Sequence, residues 1–153
     1  MNLLVTGSSG YIAGSLIPAL SGRGHTVHGV DREPYEGSAL SEVVTGDLLN
    51  SFTLESANFE VDCICHLAAA KGDWGISEDE YYRDNLEATR VLIEVGKEAG
   101  VKDWVFYSTV SAMGPSREAI GEDAGFNPIN PYGASKAEAE KLFHELAEED
   151  PEA

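Results

Sequence analysis

The chain has 153 residues, of which 27 are acidic and 10 basic, giving a net charge of −17 with neutral histidines. Apolar residues make up 42% of it, enough for one core at a length that buries about two-thirds of the unfolded surface. This balance excludes a disordered acidic tail and a disulfide-stapled miniprotein, and it argues against nucleic-acid partners, which need Lys and Arg to neutralise phosphates.

Strand and helix patterns alternate from end to end. Asn2–Thr6 reads as a buried strand, followed by a glycine turn and a helix over 11–21 that Gly22-Arg23-Gly24 closes. Residues 25–30 form a second strand ending at Asp31, 43–45 a short third strand, and 51–58 a short helix. A fourth strand covers 63–68. Its Cys63 and Cys65 share a face but sit too far apart for an unstrained disulfide, so reduced core thiols in a cytoplasmic protein are expected, and no metal site. The longest helix spans 78–99, where Tyr82, Leu86, Thr89, Leu92 and Ile93 fall on one stripe with Asn85 on the same side. Trp74, Tyr81 and Tyr82, near its start, are expected to pack as core or lid. A fifth strand at 104–108 leads into a loop rich in Gly, Pro and Asn. Asn130 then caps a last helix running from Pro131 to 148, before a frayed polar tail at 149–153.

No apolar run approaches the roughly 18 residues of a bilayer span, so no membrane partner is expected. Residues 1–7 lack the basic region of a signal peptide. The alternation predicts one α/β domain over 1–153, a Rossmann-like doubly wound parallel sheet of order 3-2-1-4-5 with helices on both faces. Its ligand crevice belongs beside strand 1, where the strand order reverses.

The turn after the first strand reads Thr6-Gly7-Ser8-Ser9-Gly10-Tyr11-Ile12-Ala13-Gly14. Gly7 permits a tight turn, Gly10 lets the backbone approach a pyrophosphate, and Ala13 with Gly14 lets helix and strand pack closely. The helix start then offers unpaired N–H groups and the positive end of its dipole to phosphates. Asp31, 21 residues past Gly10, is placed to accept from the adenosine ribose hydroxyls. A carboxylate there repels a 2′-phosphate and favours NAD over NADP, while the neighbouring Arg32 pulls the other way.

Tyr132-Gly133-Ala134-Ser135-Lys136 opens the last helix, with phenol and ammonium one turn apart. A free phenol, with a pKa near 10, is a poor base at neutral pH, and a neighbouring cation brings it towards useful range.

Together with the glycine turn, this pair resembles the extended branch of the short-chain dehydrogenase/reductase superfamily, the NAD-dependent sugar epimerases and dehydratases. The likeness covers nearly the whole chain. It includes Gly46-Asp47-Leu48, His66-Leu67-Ala68-Ala69, Asn85, the segment from Tyr107 to Gly114, and Asn130 to Lys136; Ala13 stands where the last turn glycine usually is. The resemblance implies that NAD is held by Gly7, Ser9, Gly10, Tyr11 and Ile12 of the turn and by Asp31 and Arg32. Asp47 and Leu48 would touch adenine, with Leu67, Ala68, Ala69, Asn85, Ser108 and Lys136 as further cofactor contacts. It implies that Tyr132 is the general base or acid, that Lys136 holds the nicotinamide ribose, and that Thr109 hydrogen-bonds the reacting oxygen, with Ser111 near substrate. The substrate would be a nucleotide sugar or another small molecule. His66 is given no catalytic part.

Members of that branch are roughly twice as long, the extra part choosing the substrate. The expectation is therefore a cofactor-binding part of an epimerase or dehydratase. A stand-alone short-chain oxidoreductase and a non-catalytic NAD-binding module remain as alternatives. A homodimer paired through the open edge of strand 5 is a further expectation.

Overall fold

In the computed structural model, which describes residues 1–56, 60–72 and 74–149, the alternation along β1 (Asn2–Thr6) sorts its side chains onto two faces. Leu3 and Val5 meet Ala13 and Ile17 of α1 (Ala13–Ser21) and Val27 of β2 (Thr26–Asp31). Leu4, on the opposite face, packs with Ile64, Leu54 and Leu92. Those three come from β4 (Cys63–His66), α2 (Ser51–Ser56) and α4 (Ala88–Glu98). A strand apolar on both faces belongs inside a parallel sheet with helices on either side. The sheet is parallel throughout, in the order β3-β2-β1-β4-β5, with β3 at Glu42–Thr45 and β5 at Asp103–Phe106. Order and architecture are those expected from the sequence.

Cys63 and Cys65 are free and buried on the α1 face. Through the β4–β5 register, Trp104 and Phe106 share the other face with Ile64 and His66. There Phe143 of α5 (Pro131–Glu149) stacks on Phe106 with ring centroids 4.7 Å apart and meets Trp104 edge-on at 5.9 Å. This aromatic stack fixes α5 against the sheet and so places Tyr132 and Lys136.

Several boundaries differ from the sequence reading. The first helix begins at Ala13 rather than at 11, because Gly7 accepts the Gly10 amide and holds Tyr11 and Ile12 in the turn. The fourth strand ends at His66, and residues 67 and 68 bend away to line the ligand crevice. The long helix is not continuous. After α3 (Glu78–Tyr81) the segment Tyr82–Glu87 is π-helical, and α4 follows. An inserted π turn shifts the helical phase, which leaves Tyr82 and Leu86 half-buried while Asn85, Ala88, Thr89 and Leu92 go fully inward. The loop after β5 contains a 3₁₀ turn, Val110–Ala112. Trp74, expected to pack, is 93% exposed, whereas Tyr81 is buried as expected. Residues 57–58 of the expected second helix and 150–153 of the expected tail lie outside the described residues, and residue 149 is helical.

Candidate functional site

The chain leaves β1 for β2 and β3 on one side, then crosses back to β4 on the other, so the strand order reverses beside β1. A cleft of about 220 Å³ opens at this point, over the C-terminal strand ends. The turn, at Gly7 and Gly10, forms one wall, with Asp31 and Arg32 at the end of β2. Leu48 and the 67–69 backbone close the other side. Eight of the residues expected to hold a cofactor thus meet in one place.

Local chemistry explains the turn. Gly7 has φ +70°, and a Cβ there would lie 2.7 Å from the Ala68 amide nitrogen. Only glycine lets the turn cross so close to the strand-4 exit. Helix α1 starts without a side-chain cap and without an acidic residue in its first turn. Among the described residues, the Tyr11 and Ile12 amides donate to no protein acceptor. The Tyr11 side chain is 98% exposed, so only its backbone faces the turn's business. Ala13, fully buried, provides the close helix–strand contact. Gly14 does not share that task as expected, since a Cβ there meets nothing within 4 Å.

Asp31 accepts the Ser9 amide at 2.9 Å on one oxygen and the Glu33 amide at 2.9 Å on the other. Each carboxylate oxygen retains a lone pair for a further donor. The Ser9 hydroxyl donates to the Glu33 carbonyl at 2.8 Å, so Ser9 spends its side chain on holding the turn to the end of β2.

Arg32 does not stand free beside Asp31. Its guanidinium is paired with Asp84 at 2.7 Å and Asp47 at 3.1 Å, and Arg83 pairs with the same two carboxylates at 3.1 and 2.8 Å. Partial burial works against charge on Asp47, but the Leu49 amide and the two guanidiniums hold its carboxyl below the usual range. The sequence reading did not single out Arg83 or Asp84. Their only signal was adjacent opposite charges next to Asn85 on the helix.

Asn85 is spent within the protein. Its Oδ1 accepts the Ala70 amide at 2.7 Å, while Nδ2 donates to the Ala70 carbonyl at 3.1 Å and to Ser135 Oγ at 2.9 Å. One buried amide thereby ties the cofactor-lining 67–70 segment to α5.

Tyr132, Lys136 and Thr109 lie outside the cleft lining. Gly133 packs so closely on the Ser111 carbonyl that a Cβ would collide, which draws the start of α5 onto the 3₁₀ turn bearing Thr109 at its N-cap. Asn130 caps α5 by accepting the Gly133 amide at 2.7 Å. Tyr132 is half-buried, its ring 6.0 Å from that of Tyr81. Thr109 Oγ1 accepts the Ser111 amide at 3.2 Å, which leaves its own proton to donate. The Ser108 hydroxyl is already engaged, donating to Glu140.

Lys136 is 2% exposed, with Nζ 4.0 Å above the Phe106 ring. Burial pulls its pKa down to about 8, against the opposing pull of Glu140. Beneath it, His66 is bracketed by Thr6 at 2.6 Å and Thr89 at 2.9 Å. Burial first, and the Lys136 charge second, hold its pKa down to about 3, so it stays neutral in the core.

A parallel 3-2-1-4-5 sheet carrying a glycine turn at its switch point defines a Rossmann-type α/β domain. The chain belongs to the NAD dependent epimerase/dehydratase family, whose description matches residues 3–151. It is similar to UDP-glucose 4-epimerase of Halalkalibacterium halodurans, with 34% identity over 94% of this chain and 46% of that one. Among solved structures, MoeE5 in complex with UDP-glucose and NAD superposes with TM-score 0.86 and 35% identity, over 96% of this chain and 49% of that one. UDP-glucose 4-epimerase from Bifidobacterium longum, in complex with NAD+ and UDP, superposes with TM-score 0.88 at 29% identity, over 99% and 50% of the two chains. The chain therefore spans about half the length of the relatives it matches. Among the described residues, no helix is long and apolar enough to cross a membrane, and no cluster of three or more metal-ligating side chains occurs.

Proposed function

We propose that residues 1–153 form one NAD-binding domain of an enzyme that acts on a nucleotide sugar by epimerase- or dehydratase-type chemistry. The observation that carries this reading is the convergence of the glycine turn, Asp31 and the 67–70 backbone on one cleft at the switch point. The residues present fit the cofactor. Two undonated amides at an uncapped helix start suit a pyrophosphate, and the spare lone pairs of Asp31 suit ribose hydroxyls. Leu48 and Leu67 offer apolar surface to a base.

When bound, NAD supplies the hydride acceptor and donor. The side chains of this chain do the rest. Tyr132 takes or returns the proton of the substrate hydroxyl, in a position set by Asn130, Gly133 and the ring of Tyr81. Thr109 donates to the same oxygen, because its own oxygen already accepts the Ser111 amide. Lys136 supplies the positive charge beneath them and, on leaving the face of Phe106, a donor for ribose hydroxyls. Asn85 keeps the 67–70 wall in register with α5. Free Cys63 and Cys65 suit the reducing cytoplasm. Pairing of two chains along the open β5 edge belongs to the same reading, and sedimentation of the purified chain checks it.

Hydrogen exchange with and without NAD tests the assignment. NAD is expected to slow exchange at residues 7–12 and 67–70 and to leave the α2 amides unchanged. Exchange at residues 7–12 and 67–70 that saturating NAD leaves unchanged contradicts it.

A further inference from the structure

Arg32 and Asp84 line the cleft together with Asp31, and they form a charged quartet with Asp47 and Arg83 behind them. Arg32 donates from Nη1 to Asp84 Oδ2 at 2.8 Å and from Nη2 to Asp84 Oδ1 at 2.7 Å, a two-point fork. Its Nη2 also reaches Asp47, and Arg83 bridges both carboxylates from the far side. Charges alternate around this quartet and sum to zero. Asp84 is its least exposed member, with a side chain 13% accessible against 44% for Arg32. It projects from the π turn next to Asn85, whose own side chain is fixed to the cleft wall and to α5. Asp84 is thus held by the fold, and Arg32 is held by Asp84.

Arg32 directly follows the residue assigned to the adenosine ribose, so a guanidinium there would normally attract a 2′-phosphate. We propose that Asp84 is the positioning residue for cofactor choice: by locking Arg32 into the quartet it withholds that cation from a 2′-phosphate, so the site takes the dinucleotide that lacks one. Recruiting Arg32 would break a bidentate ion pair and leave the half-buried Asp84 with Arg83 alone, through a single 3.1 Å contact. It would also bring a dianion up to the carboxylates of Asp31, Asp47 and Asp84. In the sequence Arg32 pulls against the NAD preference set by Asp31, and the quartet removes that pull.

This inference rests on the cleft being a dinucleotide site. The test titrates wild type, Asp84→Asn and Asp84→Asn/Arg32→Ala with NAD, NADP, 5′-AMP and 2′,5′-ADP, at low and at moderate salt. The expected result is that Asp84→Asn tightens NADP and 2′,5′-ADP by at least about tenfold, changes NAD and 5′-AMP by less than about threefold, and loses the gain at moderate salt. Adding Arg32→Ala should return both 2′-phosphorylated ligands to the wild-type level, which loss of structure alone would not do. Thermal unfolding checks that each variant folds, and Asp47→Asn, a milder release of the same guanidinium, should move the NADP-to-NAD ratio the same way by a smaller factor. An unchanged ratio in folded variants that still bind NAD overturns the lock and leaves the cofactor site standing. Binding of none of the four ligands by wild type overturns both.

Discussion

Lys136 is the costliest side chain in the site. Its ammonium is buried with a pKa near 8 rather than 10.5, a burden on the order of 3 kcal/mol while it remains charged. The Phe106 ring offsets part of this, at about 1–2 kcal/mol for a desolvated cation–π contact. Lys136→Met is therefore expected to stabilise the ligand-free chain by about 1 kcal/mol, or about 3 °C in thermal unfolding. The same variant should bind NAD more weakly, and a lowered melting temperature would mean the lysine holds the fold together. Tyr132→Phe separates chemistry from binding. It should leave NAD affinity within about twofold and reduce any substrate-dependent change in nicotinamide absorbance by about 10²-fold or more. Spacing alone left this pair open to a surface role, and it was singled out only beside the glycine turn and the family resemblance. The sink of Lys136 into the aromatic stack was not legible, because it depends on Phe106 and Phe143 meeting across α5 and β5.

At the scale of elements, the glycine turn separates what its residues do. Gly7→Ala puts a side chain at φ +70° and against the Ala68 backbone, and should destabilise the chain by about 2 kcal/mol or more while weakening NAD binding. Gly14→Ala lies in an exposed part of α1 with open space around its Cβ, and should stabilise the chain by about 0.5–1 kcal/mol. Urea unfolding of the two variants reads both signs. The motif identified the turn correctly and credited Gly14 with a packing task that Ala13 performs alone, since a helix that starts two residues late turns its residues by about half a turn. The π turn was hidden for a similar reason. A 3.6-residue stripe ran plausibly through Tyr82 and Leu86, and only tertiary contacts of Asp84 and Asn85 reward the inserted residue. Strand order was legible because alternating strands and helices admit few right-handed parallel arrangements.

For the molecule as a whole, His66 links stability to pH. Its folded pKa of about 3 lies below the ordinary 6.5, so the unfolded chain binds the extra proton between those values. The stability it contributes is complete above about pH 6.5 and is lost as pH falls towards 3. Between about pH 6.5 and 4.5 the wild type should lose about 2–3 kcal/mol more than His66→Gln, a difference in which the carboxylate titrations cancel. Denaturant midpoints at the two pH values measure it, and equal losses in both proteins would mean His66 is protonated in the fold. The net charge of −17 adds a uniform self-repulsion that salt should relieve.

Residues 1–153 are expected to carry a working dinucleotide site on their own. Calorimetric titration of the purified chain with NAD, and then with NADP, tests it most directly. The expected result is saturable binding of one NAD per chain, weakened by Gly7→Ala and at least about tenfold tighter than NADP. Absence of binding by a folded chain, or equal affinity for the two dinucleotides, would contradict it.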